Sequence, residues 1–167
     1  MQGGAQEPLI RFDDVSFQYE GQDKRSLQNV DITIDAGELV LVTGESGSGK
    51  TTLTRCVNCL IPHFFRGELS GEVLVDGRSI KETTPGDAGK LVASIFQDPR
   101  SQFFTTSSDG EAAFACENYG VAHEEIVRRV DDSFATLGMG DLKGKSIFSL
   151  SSGQRQKVAF VAAATRG

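Results

Sequence analysis

The residues best equipped for chemistry sit together in one octet, Gly44-Glu45-Ser46-Gly47-Ser48-Gly49-Lys50-Thr51. Its spacing is G-x-x-x-x-G-K-[ST], the pattern of a loop whose backbone cradles phosphates. Glycines at 44, 47 and 49 let the chain curl, so that the N–H groups of this stretch, Glu45, Ser46 and Ser48 included, turn toward phosphate oxygens. The positive end of a following helix favours the same anion. Lys50 is expected to reach the β- and γ-phosphates as a compact charge, and the Thr51 hydroxyl to complete a magnesium shell. Thr52 is expected to add a donor to the α-phosphate. Glycine-rich turns between strand and helix also occur without ligands, but the full spacing and the Lys-Thr ending select the phosphate reading. The expected ligand is a nucleoside triphosphate.

Such a loop needs a strand before it and a helix after it. The apolar run Leu39-Val40-Leu41-Val42-Thr43 supplies the first, and is apolar on both faces, as a strand covered by helices is. Residues 9–19 and 30–34 have strand composition and alternate, the second more cleanly, which predicts a half-exposed antiparallel sheet. Val73-Leu74-Val75-Asp76 has the look of a strand ending in a metal-binding carboxylate. Asp76-Gly77, however, is a strong hairpin signal between strand formers, and Asp76 is assigned to the turn. Leu91–Phe96 is a further short apolar run. From Asp109 onward the period becomes helical, with Ile126, Val127, Val130, Phe134 and Leu137 on one face and Gly138 as C-cap.

Bulk properties narrow the class. The 167 residues make one domain, or one large domain cut short. A net charge of −6 argues against a nucleic-acid partner, which calls for a basic footprint. No apolar run approaches the ~20 residues that cross a bilayer. The opening MQGGAQEP has neither the basic nor the apolar region of a secretion signal, so a cytosolic setting is expected, with any membrane role exerted through a partner. Cys56 and Cys59 have a C-x-x-C spacing open to zinc or redox chemistry. With no second Cys or His pair nearby, they are read as reduced core thiols on a helical face.

A second motif lies near the end, Leu150-Ser151-Ser152-Gly153-Gln154-Arg155-Gln156, ahead of an Ala- and Val-rich helical run. Ser151 and Gln154 have capping-box spacing, which by itself marks only a helix start. A helix N-terminus beside a glycine is also a receptor for a γ-phosphate. Taken together, the two motifs resemble those of the ATP-binding subunits of ABC transporters. GESGSGKT resembles their Walker A loop and LSSGQRQ their LSGGQ signature, with Ser152 in place of its first glycine. Gln97 falls at the Q-loop glutamine, and Tyr19 where the family stacks an aromatic on adenine, although a lone strand Tyr also serves packing. The stretches Asn58–Phe64, Gln97-Asp98-Pro99 with Gln102-Phe103-Phe104, and Glu111-Ala112-Ala113-Phe114 with Glu117-Asn118 resemble the energy-coupling-factor importers of vitamins, cobalt and nickel.

The resemblance implies an α/β fold with a P-loop NTPase (RecA-like) core, an antiparallel β subdomain and a helical signature subdomain. The core and β parts would span about residues 8–98 and the helical part about 99–164. It implies ATP and Mg2+ as ligands, Lys50 and Gln97 as catalytic groups, and Thr51 and Gln97 near the metal. Tyr19, the loop from Gly44 to Thr52, and Ser151, Ser152, Gly153 and Gln154 would hold nucleotide, the signature from a second ATPase subunit docked head to tail, identical or not. A transmembrane coupling subunit would meet residues 99–115, where Phe103 and Phe104 are either contacts or core. The location implied is the inner face of the cell membrane. The magnesium-ordering Asp and catalytic Glu of the family would follow Gly167, leaving the C-terminal part of the core missing and these 167 residues poor at hydrolysis. His63 and His123 match no catalytic position. The competing readings are a soluble ABC-type ATPase without a membrane partner, a small-molecule kinase, and a nucleotide-binding fragment without turnover.

Overall fold

Alternation in the first strand is loose for a physical reason. β1 (Ile10–Tyr19) pairs antiparallel with β2 (Leu27–Ile34) on one side and β3 (Gly67–Val75) on the other. Register slips between Phe12 and Val15 against β2, and between Asp13 and Ser16 against β3. At this bulge Asp14 donates its N–H to Asp31 Oδ1 at 2.8 Å and accepts from Asn29 Nδ2 at 2.7 Å, which replaces lost ladder bonds. The added residue resets the phase, so that Phe12, Val15 and Phe17 all face the core. β3 then turns through Asp76 and Gly77, with φ of 50° and 70°, into β4 (Arg78–Ser79). Two left-handed residues are what a type I′ hairpin requires, and Asp76 sits in the turn as expected. The sheet order is β2-β1-β3-β4.

The computed structural model describes residues 7–98 and 101–166, which form two units dividing between Ala93 and Ser94. Pro99 of the Gln97–Phe104 block, most of the opening MQGGAQEP and Gly167 lie outside the described residues. In the first unit the sheet packs on α1 (Lys50–Val57) and α2 (Leu60–His63), followed after β4 by α3 (Pro85–Leu91). Cys56, Cys59 and Ile61 complete a core with Phe12, Val15, Phe17, Val73 and Ile80. Both thiols are buried there, and burial pushes Cys56 up to about 12, so it stays protonated at neutral pH.

Leu39–Thr43 departs from expectation. It is not a strand, and Leu39 and Leu41 are 99% and 85% exposed. Residues 92–96 likewise form no strand. An apolar sequence makes a strand only where a ladder partner satisfies its backbone, and among the described residues nothing pairs with either segment.

The second unit is helical: α4 (Ser108–Asn118), α5 (His123–Thr136) and α6 (Ser152–Thr165) pack around Cys116, Ile126, Val130, Phe134, Val158 and Val161. The buried stripe of α5 is narrower than its apolar residues suggest. Ile126, Val130 and Phe134 are buried four residues apart, while Val127 and Leu137 are exposed. Gly138 ends the helix in a Schellman motif, its N–H donating to Ala135 O and that of Met139 to Phe134 O. Among the described residues no helix is long and apolar enough to cross a membrane.

Candidate functional site

The phosphate-type loop closes on its own lysine. Lys50 Nζ donates to Gly44 O at 2.8 Å, to Glu45 O at 2.6 Å and to Ser48 Oγ at 3.2 Å, so the loop encircles the ammonium. α1 starts at Lys50 with Gly49 as N-cap and no side-chain cap. The first helical bond runs from Leu53 N–H to Gly49 O at 2.9 Å, which leaves the amides of Lys50, Thr51 and Thr52 without a helical acceptor. Position 49 admits only glycine. Its φ is 93°, and a Cβ there would stand 2.4 Å from Ser26 O.

These features fit a polyphosphate. Unpaired amides, the helix dipole and one compact cation converge on a cleft of about 270 Å³ lined by Tyr19, Gln22, Ser26, Gly47, Gly49, Lys50, Thr51, Thr52 and Arg55. Thr51 is exposed at the first turn, and among the described residues its hydroxyl meets no hydrogen-bond partner, as a metal-ligating hydroxyl needs. Thr52 also lines this cleft, with its side chain buried and its hydroxyl 3.1 Å from the Tyr19 hydroxyl.

Tyr19, at the end of β1, comes to this cleft by the pairing of β1 with β3. Its ring lies edge-on to Phe17 and Phe65, with centroids 4.8 and 6.2 Å away, and its hydroxyl accepts from Arg55 Nη1 at 2.9 Å. Packing and cleft lining are both true of it. Arg55 carries no motif signal, because its partner is distant in sequence, and a reading by spacing passes over it.

In the helical unit the signature forms the start of α6. Ser151 Oγ accepts from Gln154 N–H at 3.2 Å and Gln154 Oε1 from Ser151 N–H at 2.9 Å, a complete capping box. Ser151, Ser152 and Gly153 are exposed, and a Cβ on Gly153 would meet nothing within 4 Å. The fold itself therefore does not require this glycine. Gln97 is exposed at a bend.

The pair Phe103 and Phe104 separates. Phe103 packs on the helical core, whereas Phe104 is 74% exposed and stacks on Phe114 with centroids 4.8 Å apart and planes at 11°. Buried Glu111 fixes this arrangement. Its Oε2 accepts from Phe104 N–H at 3.0 Å, Thr105 N–H at 2.9 Å and Thr105 Oγ1 at 3.0 Å.

Comparison with known proteins places the chain. The family model described as ABC transporter matches residues 27–167. A Treponema denticola protein carrying the name ABC transporter ATP-binding protein is 41% identical over 152 residues, covering 91% of this chain and 31% of that protein. A Streptomyces avermitilis protein of the same name is 40% identical over 151 residues, covering 90% and 27%. The structure of cbiO1 from Clostridium perfringens, described as part of the ABC transporter complex cbiONQ, matches with a TM-score of 0.84 at 25% identity over 96% of this chain and 62% of that one. The chain thus spans less than a third of the length of these curated relatives.

Proposed function

This chain belongs to the ABC transporter family, and on that premise we propose that it is the nucleotide-gripping part of an ATPase subunit that powers substrate import through a membrane partner. One observation carries the reading: the uncapped start of α1, with Lys50 held across its mouth by loop carbonyls. The amides of this stretch bind the triphosphate of ATP, chiefly those of Lys50, Thr51 and Thr52, since the Ser48 N–H donates to Glu45 O at 3.2 Å. Lys50 exchanges the Gly44 and Glu45 carbonyls for phosphate oxygens. A charged partner replaces neutral ones, which favours the bound state. Thr51 holds Mg2+, which when bound neutralises charge on the phosphates. Gln97 is assigned to the metal or the attacking water on the resemblance alone. Tyr19 is the platform for the base.

A second ATPase subunit, docked head to tail, brings its own Ser151, Ser152, Gly153 and Gln154 to the γ-phosphate. The Ser151 hydroxyl, which among the described residues only accepts, and the open space around Gly153 support that role. Import, and a site on the inner face of the membrane, rest on the resemblance of the sequence blocks to importer subunits, while the likeness to cbiO1 supports membership of a transporter complex. Phe104, displayed on Phe114, is the contact offered to a transmembrane subunit. On the resemblance alone, turnover needs the family's magnesium-ordering Asp and catalytic Glu besides Lys50 and Gln97.

Calorimetric titration of the full-length protein with Mg·ATP tests the reading. Wild type binds, and Lys50→Ala loses binding by roughly tenfold to a hundredfold, as expected from charged hydrogen bonds of about 1.5–3 kcal/mol. Absence of heat for wild type, or equal binding by the variant, overturns nucleotide binding. Recovery of the protein without any membrane subunit overturns the transport part.

A further inference from the structure

Arg55 is a cation the phosphate motif does not call for. It stands on α1 just past Lys50 and Thr51, half-buried, on the wall of the same cleft. Its Nη1 donates to the Tyr19 hydroxyl at 2.9 Å, and its guanidinium carbon lies 3.9 Å over the Phe65 ring and 5.9 Å over that of Tyr19. The Tyr19 hydroxyl also meets Thr52 Oγ1 at 3.1 Å. One phenol oxygen is thereby tied to two residues of the helix that follows the phosphate loop. Its ring is wedged edge-on by Phe17 and Phe65, with both interplanar angles at 85°. A tyrosine gripped in this way has lost the rotation that binding would otherwise have to arrest.

We propose that Arg55 is a positioning residue that locks Tyr19 as the base-stacking platform in register with the phosphate loop. The proposal rests on the nucleotide reading above. A planar guanidinium suits the task because it stacks on Phe65 and donates in its own plane at once, which an ammonium cannot do. Base and triphosphate are then measured out from the end of β1 and the first turns of α1, which these contacts tie together. Arg55 contributes to affinity only through the base and leaves phosphate binding untouched.

The test compares ligands with and without a base. Binding of Mg·ATP and of magnesium tripolyphosphate is measured by calorimetry on the full-length protein, Arg55→Ala, Tyr19→Phe and the double variant. Arg55→Ala weakens ATP about fivefold to tenfold, a part of what an aromatic platform contributes to a stacked base, and leaves tripolyphosphate unchanged. Tyr19→Phe, which keeps the ring and loses the tether, matches it, and the double variant is no weaker than either single one. Should Arg55→Ala fail to fold, Arg55→Lys and Tyr19→Phe carry the same comparison. Equal losses for both ligands place Arg55 on the phosphates and overturn the proposal, as do additive losses or none. Failure of wild type to bind either ligand brings down the nucleotide reading itself.

Discussion

α1 and α6 begin in opposite ways, although the sequence marks both as phosphate receptors. α1 opens on Gly49, and no side chain returns to its first amides. α6 opens on Ser151 and closes a full capping box with Gln154. The bare end keeps its donors in reserve, at a cost to helix stability, and becomes useful only when an anion arrives. The capped end is a finished helix that offers an exposed serine and a glycine as an addition. A binding site made from missing caps differs from one laid over a stable element, and mutation should separate them.

The largest effect is expected at Gly49. Gly49→Ala places a Cβ against Ser26 O in a left-handed conformation, and should cost about 2–4 kcal/mol together with nucleotide binding. Urea denaturation and ATP titration check both, and a stable, binding variant would erase the contrast. Ser151→Ala should lower the stability of the helical unit by about 1 kcal/mol while leaving binding to the isolated α1 loop intact. If the melt of that variant matches wild type, α6 is not held by its box.

The smallest effect comes from α5, a helix start with no proposed ligand and no side-chain cap. Hydrogen bonds from Arg128, then Arg129, hold the Glu125 carboxyl down at about 2. A folded value below the usual one, about 4.3, means stability that is present above the usual value and lost as pH falls through the folded one. Glu125→Gln should therefore be slightly less stable than wild type at neutral pH, and the difference should vanish toward pH 2. A difference that persists in acid would show that α5 is held by something other than this ion pair.

What could be read from the sequence was local. The octet from Gly44 to Thr51, the Asp76-Gly77 turn, the Ser151–Gln154 box and the Gly138 cap each carry their geometry within a few residues. Leu39–Thr43 failed as a strand because a strand is a property of its neighbours, and alternation cannot say whether a partner is present. The bulge at Asp14 was hidden for a related reason, since Asn29 and Asp31 stabilise it from another strand. The grip of Arg55 on Tyr19 crosses 36 positions, so no spacing rule could have found it.

One carboxyl oxygen of Glu111 gathers the backbone of Phe104 and Thr105, which makes the Phe104 ring a fixed plate and not a loose end. A greasy plate that cannot fold away makes the surface stickier in water and readier to be grasped without delay. An acid that scarcely sees solvent thus sets how sociable this face of the molecule is.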